Sequence, residues 1–416
     1  MATLAHAPAE ALTLDDLDVG RTQYWLDHDV LARFARLRAA GPVHWCPESF
    51  YGPYWSVVSH QHIMEVEGRP DIFSSAWDKG GITIFDRPEF NEEDPPLPMF
   101  IAMDRPQHTG QRRAVAPAFT PAEMLRHEPD IRRRTAELLD SLPEGELFDW
   151  VDRVSIELTT GMLAILFDFP WADRRLLTKW SDWATDTDSV SDPERNRQRW
   201  EVLFECASWF TNLWNERKER EPRPDLISMM IHSEATRNMT PQEYLGNLVL
   251  LIVGGNDTTR NSMSATVMIQ EEHPDGWRRM MADPALIPNG VSELIRWQTP
   301  LAHMRRTALV DFEIAGQRIR AGDKVVMWYL SANRDEHVFD DADRFLPERA
   351  NARRHLSFGF GIHRCVGARL AELQLGILLQ EMHKRRMRVA LAGPVERVNS
   401  PFVHGFRRLP VEMRRG

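Results

Sequence analysis

The sequence predicts a mainly α-helical fold with a smaller β region (α+β), on three observations. Apolar residues recur at helical spacing through most of the 416 residues. Two stretches depart from that rhythm: 51–60 (YGPYWSVVSH) and 311–330 (DFEIAGQRIRAGDKVVMWYL) alternate like short strands, the second broken by AG and AGD turn signals. Finally, Thr240, Pro241 and Glu243 supply an N-cap, a first-turn proline and a capping box. A long helix therefore starts at Pro241 and carries GGNDTTRNS (254–262) in its middle.

A hydrophobic content of 43% is ample for a large core. With no repeat, heptad or low-complexity linker, one domain over 1–416 is expected, with 1–20 a flexible N-terminus and the proline-rich EEDPPLPMF (93–100) a surface or lid loop. Fifty-one basic against 61 acidic residues give a net charge of −10, which argues against a general nucleic-acid binder. The N-terminus lacks a basic n-region, and the longest strongly apolar run, LVLLIVGG (248–255), falls far short of the roughly 20 residues of a membrane span. A cytoplasmic protein without a membrane anchor is expected. Three cysteines, Cys46, Cys206 and Cys365, contain no CxxC pair, which excludes a disulfide scaffold and disfavours structural zinc.

Cys365 lies in SFGFGIHRCVGARLAE (357–372), at the mouth of an amphipathic helix with Leu370, Leu373, Ile377 and Leu378 on its apolar face. Unpaired N–H groups and the positive dipole end at such a mouth stabilise thiolate, the metal-binding form. Gly359, Gly361 and Gly367 let the backbone turn sharply and approach a flat partner. One axial thiolate to an iron held otherwise by a non-protein ligand suits this site, and haem fits that description. A buried free cysteine beside a glycine turn is the ordinary alternative. A nucleophile would need a base and oxyanion donors that the sequence does not identify.

Phe358, Gly361, His363, Cys365 and Gly367 match Phe-x-x-Gly-x-His/Arg-x-Cys-x-Gly, and the chain resembles the cytochrome P450 family on this loop. The resemblance extends to the Glu-x-x-Arg pair Glu293 and Arg296 in VSELIRW, and to Arg349 in DRFLPERA, which completes that buried structural network in the family. It implies the P450 fold, with a long central helix over haem b (heme b) and Cys365 as the axial ligand. It also implies Gly254 and Gly255 over the haem, and Asp257 with Thr258 as the acid–alcohol pair that brings protons to dioxygen. Arg260 stands three residues on, the spacing of an ordinary i, i+3 ion pair with Asp257. The propionate partners implied are His108, Arg112, Arg306 and His363, with Arg305 a rival to Arg306 that the sequence leaves open.

The activity implied is a haem-thiolate monooxygenase inserting one atom of O2 into an unactivated C–H bond. No flavin or dinucleotide motif is present, so a 2Fe-2S ferredoxin and its NAD(P)H-dependent reductase are the expected electron donors. Arg112, Arg113, Arg353, Arg354 and Arg364 are candidates for a positive docking patch. Segments matching the family's substrate-facing regions are apolar: Ile82 and Ile84, Val253, Leu301 and Met304, Phe402 and Val403. A small apolar substrate is expected and a sugar or macrolide disfavoured. GGNDTTRNSMS with GGITI is similar to the bacterial soluble alkane hydroxylases, which implies terminal hydroxylation of medium-chain alkanes, primary alcohols or fatty acids. The alternatives are a hydroxylase of terpenoids or steroids, a peroxide-driven peroxygenase, and a haem-based sensor or carrier.

Overall fold

A computed structural model describes residues 9, 12–14, 16–86, 95–190 and 192–416. Parts of two expected segments, 1–8, 10, 11 and 15 of the N-terminus and 93–94 of the proline-rich loop, lie outside the described residues. Their described parts are packed. Leu12, Leu17 and Val19 are buried in a core cluster, so the N-terminal segment is anchored from Leu12 onward rather than flexible to residue 20. Leu97 and Phe100 are buried too, and the Phe100 N–H donates to Asn247 Oδ1 at 2.9 Å, which makes that stretch of the loop interior.

Helices dominate, with short strands between them. Those that carry site residues are α1 (His60–Glu67), α2 (Gln107–Val115), α3 (Pro121–Asp140), α4 (Glu157–Phe167), α5 (Arg175–Ala184), α6 (Pro241–Glu272), α7 (Ile287–Gln298) and α8 (Ala368–Lys384). The described residues form two compact units: Met1–Pro88, Met268–Cys365 and Val395–Arg407 in the first, Glu89–Val267, Val366–Pro394 and Arg408–Gly416 in the second.

Unit one is built on a five-stranded sheet of β1 (Val43–Cys46), β2 (Tyr54–Val57), β3 (Phe73–Ser74), β4 (His303–Ala308) and β5 (Lys324–Trp328), in the order β1-β2-β5-β4-β3. β2 and β5 are parallel, with Ser56 opposite Val326; the other pairs are antiparallel, with Arg306 opposite Val325 across β4 and β5. The expected hairpin follows as Phe312–Ile314 and Gln317–Ile319. Its turn places Ala315 and Gly316 at φ +50° and +77°, the left-handed pair that matches strand twist.

Unit two is helical. Its core gathers Leu163, Phe167, Trp180, Phe210, Leu248 and Ile252. α6 starts as the sequence predicts: the Thr240 N–H donates to Glu243 Oε2 at 2.9 Å, and the Glu243 N–H donates to Thr240 Oγ1 at 3.2 Å. A feature not read from sequence is Gly246, where a Cβ would collide with the Pro98 carbonyl.

Candidate active site

The loop of unit one that carries Cys365 is held from both ends. Gly359 and Gly361 sit at φ +67° and +66°, and a Cβ on Gly361 would strike the Glu67 carbonyl at the end of α1. The turn closes with the Cys365 N–H donating to the Phe358 carbonyl at 2.8 Å. Phe358 is half-buried, its ring centroid 5.2 Å from that of His355. Cys365 is exposed, whereas Cys46 and Cys206 are buried. Burial pushes the Cys46 thiol up to about 12 and raises that of Cys206 further, so neither suits metal binding. Cys365 stands two residues before Gly367, the N-cap of α8. A Cβ on Gly367 would make only ordinary contact, with Phe119 at 3.7 Å, so packing does not demand that glycine.

Glu67 is the residue the sequence reading missed here. Its buried carboxylate accepts from the Phe360 N–H at 2.7 Å, from Tyr329 Oη at 2.7 Å and from Arg306 Nη2 at 3.3 Å. Burial raises its pKa, which Arg306 opposes. Thus one carboxylate ties the loop to two elements far away in sequence. The rivals on β4 separate as adjacent strand residues must. Arg306 turns to Glu67, while Arg305 pairs with Asp86 at 2.7 Å and lies where a Cβ on Gly80 would be. Arg306 thus already has a carboxylate partner within unit one. His363 meets Ser75 Oγ at 2.9 Å through Nε2.

Behind the loop, Glu293, Arg296 and Arg349 come together as expected. Arg296 bridges both Glu293 oxygens at 2.7 and 2.8 Å, and Arg349 Nε reaches both at 3.0 Å. Arg296 Nη1 also donates to the Asn333 carbonyl at 2.7 Å. The Asn333 side chain accepts from the Leu356 N–H at 2.7 Å and donates to Ser357 Oγ at 2.8 Å. A continuous path of hydrogen bonds therefore runs from the ion trio to the start of the cysteine loop.

In unit two, the middle of α6 presents two different faces. Asp257 is buried, and its carboxylate accepts from Ser181 Oγ (2.9 Å) on α5, Thr185 Oγ1 (3.0 Å), Asn256 Nδ2 (2.9 Å) and Arg260 Nη2 (3.0 Å). The Asp257–Arg260 pair exists, but as a buried contact rather than a surface device; Arg260 also meets Asp182 at 2.8 Å. Asn256, unremarked in the sequence reading, is fully buried and accepts from Thr159 Oγ1 at 2.9 Å. Thr258 is half-buried and donates to the Gly254 carbonyl at 2.9 Å, the local bond by which threonine loosens a helix.

The two glycines also divide. A Cβ at Gly254 would meet nothing within 4 Å, whereas one at Gly255 would come within 2.6 Å of Leu163 Cδ2 on α4. Space beside Gly254 is open, whereas Gly255 is needed for the close packing of α6 on Leu163. Of LVLLIV, four residues are buried core and only Leu250 and Val253 are half-buried. His108 on α2 is buried and Arg112 half-buried.

Among the expected pocket residues, Leu301 bridges Val403, and the Phe402 ring lies 5.3 Å from that of His303. The Ile82 carbonyl accepts from the Arg305 N–H at 2.8 Å, and Met304 is 8% exposed. Ile84 departs from expectation. It is fully buried in the cluster of Leu17, Val19 and Tyr51, because its N–H is fastened to His303 Nε2 at 3.1 Å and its side chain turns into that core. His303 itself stays neutral, its pKa pushed down to about 4 by burial.

An exposed thiol on the glycine-shaped loop of unit one fits a haem with a single protein ligand. Comparison with known proteins agrees. The sequence model of the family described as Cytochrome P450 matches residues 194–385. A solved structure of cytochrome P450-153 from Novosphingobium aromaticivorans is 60% identical, with a TM-score of 0.91 over 96% of this chain and 99% of that one. Linalool 8-monooxygenase of Pseudomonas putida is 38% identical over 393 residues, 92% of this chain and 95% of its own. Methyl-branched lipid omega-hydroxylase of Mycobacterium tuberculosis is 31% identical over 423 residues, 97% of this chain and 96% of its own.

Proposed function

The chain belongs to the cytochrome P450 family, and from that premise we propose that it hydroxylates the terminal methyl of medium-chain alkanes, primary alcohols or fatty acids. Cys365 would hold the family's haem through its thiolate, and the haem would supply the oxidising chemistry toward the C–H bond. The reaction takes O2, two electrons and two protons, and returns the alcohol and one water. The electrons come from NAD(P)H through a reductase and a 2Fe-2S ferredoxin. Exposed Arg353, Arg354 and Arg364 in unit one offer an acidic donor its charge partners.

The chain's own residues manage the protons and the substrate. Asp257 is the carboxylate that passes protons on, and Arg260 holds it in place through their ion pair. The Thr258 hydroxyl donates to the Gly254 carbonyl, which leaves its oxygen lone pairs to accept a hydrogen bond in turn. Primary C–H bonds are the strongest in an alkane, so chain-end oxidation needs a channel that admits only the methyl. Leu301, Met304, Phe402 and Val403 of unit one supply apolar walls without fixed polar anchors.

The likeness to cytochrome P450-153 at 60% identity over nearly the whole chain carries this reading, with the omega-hydroxylase among the relatives in support. Linalool 8-monooxygenase, at 38%, favours a second reading as a terpenoid hydroxylase. Incubation with octane and with dodecanoic acid, plus ferredoxin, reductase and NADH, separates them. Products oxidised at the chain end are expected; subterminal products, or turnover of terpenes or steroids alone, would overturn the proposal.

A further inference from the structure

The four donors to Asp257 are not shared evenly between its two oxygens. Oδ1 receives three: Ser181 Oγ at 2.9 Å, Asn256 Nδ2 at 2.9 Å and Arg260 Nη2 at 3.0 Å. Two of these can only donate. A guanidinium has no acceptor, and the Asn256 amide oxygen is taken by Thr159 Oγ1 at 2.9 Å and Thr178 Oγ1 at 3.4 Å, which leaves its NH2 facing Asp257. A proton on Oδ1 would point at those donors. Oδ2 receives one bond among the described residues, from Thr185 Oγ1 at 3.0 Å. Oδ2 is therefore the oxygen free to take a proton.

Thr185 is placed to serve both charge states of that oxygen. It is the C-cap of α5, one turn after Ser181, where the last carbonyls of a helix lack helical partners. Its Oγ1 lies 3.0 Å from the Ser181 carbonyl and 3.0 Å from Asp257 Oδ2. A hydroxyl has one proton and two lone pairs, so it donates to only one of these oxygens at a time. Facing ionised Asp257, it donates to Oδ2, and the Ser181 carbonyl keeps the Thr185 N–H at 3.1 Å. Facing the protonated acid, it donates to the Ser181 carbonyl and accepts from Oδ2–H. Rotation about one bond exchanges the two arrangements and strands no polar atom. A helix cap alone would need only the carbonyl contact.

We propose that Thr185 is a positioning residue for proton transfer: its hydroxyl turns from donor to acceptor as Asp257 takes a proton on Oδ2, and back as that proton leaves. The proton comes from water and resides on Asp257, while Thr185 keeps its own. The role rests on Asp257 being the proton carrier proposed above.

Infrared difference spectra of the holoenzyme, acidified within its folded range, test the switch without turnover. The carboxylic C=O band of Asp257 is the one that Asp257→Asn removes. Thr185→Val, which keeps the shape without the hydroxyl, should move that band to higher frequency, and Thr185→Ser should restore it. Turnover of dodecanoic acid with ferredoxin, reductase and NADH is the second readout. In Thr185→Val, kcat should fall about tenfold with KM unchanged, the strength of one hydrogen bond to a charged group, and Thr185→Ser should recover it. Combined with Asp257→Asn, Thr185→Val should add little, because both act on one proton. A band unmoved in Thr185→Val, a parental kcat in that variant, or a Ser variant as slow as the Val variant would overturn the role of Thr185 and leave Asp257 as carrier. Spectra in which Asp257→Asn removes no band would take away the carrier, and the switch with it.

Discussion

Glu293 and Asp257 are both carboxylates buried on helices, yet their surroundings are opposites. Glu293 is gripped by two arginines and by the Leu346 N–H at 2.9 Å. Those arginines direct further N–H groups at the carbonyls of Asn333, Ala342, Arg344 and Asp341. Nothing in that set can rotate without stranding a charge. Asp257 instead takes two of its four hydrogen bonds from hydroxyls, and its one cation is shared with Asp182, which is 53% exposed. Hydroxyls can swing away singly at modest cost. Burial alone thus does not define a carboxylate's work: charge partners fastened to backbone make a strut, and rotatable neutral donors suit the proton carrying proposed for Asp257.

The contrast is broken most strongly at the strut. Glu293→Gln leaves two buried guanidinium groups facing a neutral amide, a defect of about 3–5 kcal/mol. A large drop in the urea midpoint and in haem retention is expected; a variant as stable as the parent would refute the structural assignment.

Acid should next separate the units, because strongly suppressed imidazoles concentrate in unit one. Burial pushes His28 and His355 down to about 3 and His303 to about 4, and holds His404 well below the usual imidazole range. The unfolded chain takes up these protons near pH 6.5, whereas the folded chain refuses them until about 3–4. Stability is therefore complete above about pH 6.5 and falls between there and pH 4, by about 1.4 kcal/mol per pH unit for each imidazole. Asp18 and Glu67, raised by burial, oppose this at the acid end. Melting followed from pH 7.5 to 5 should show the loss beginning near 6.5, and a flat profile would contradict the burial of these rings as neutral groups.

The smallest effect belongs to the surroundings of Asp257. Ser181→Ala removes one of four donors to Asp257, which is worth about 1 kcal/mol. Turnover should change only several-fold and stability little, because Thr185, Asn256 and Arg260 remain. A collapse as deep as that of Glu293→Gln would erase the distinction.

What the sequence made legible was local. The Thr240–Glu243 box, the i, i+3 pairs Glu293–Arg296 and Asp257–Arg260, and the glycine turn before Cys365 are set by spacing within a few residues. Partners from remote segments were not legible. Nothing in the sequence links Glu67 to Arg306, 239 positions apart, or Asp257 to Ser181 and Thr185. Asn256 could have been flagged, since a fully polar amide amid an apolar helix calls for a buried partner. Ile84 and Gly255 were placed by type, and an apolar or absent side chain does not disclose whether its neighbour is a ligand or another helix. Gly255 faces Leu163, and Ile84 faces the N-terminal core.

The account is tested most directly by the rate at which Asp257→Asn holoenzyme forms terminal alcohol from dodecanoic acid with ferredoxin, reductase and NADH. Asparagine keeps the shape and an acceptor oxygen but cannot pass a proton as an acid. The rate should fall by about 100-fold, the lower end of what a positioned acid or base contributes, with haem content and melting temperature close to the parent. Alcohol formed at the parent's rate would show that Asp257 carries no protons and is, like Glu293, only a strut.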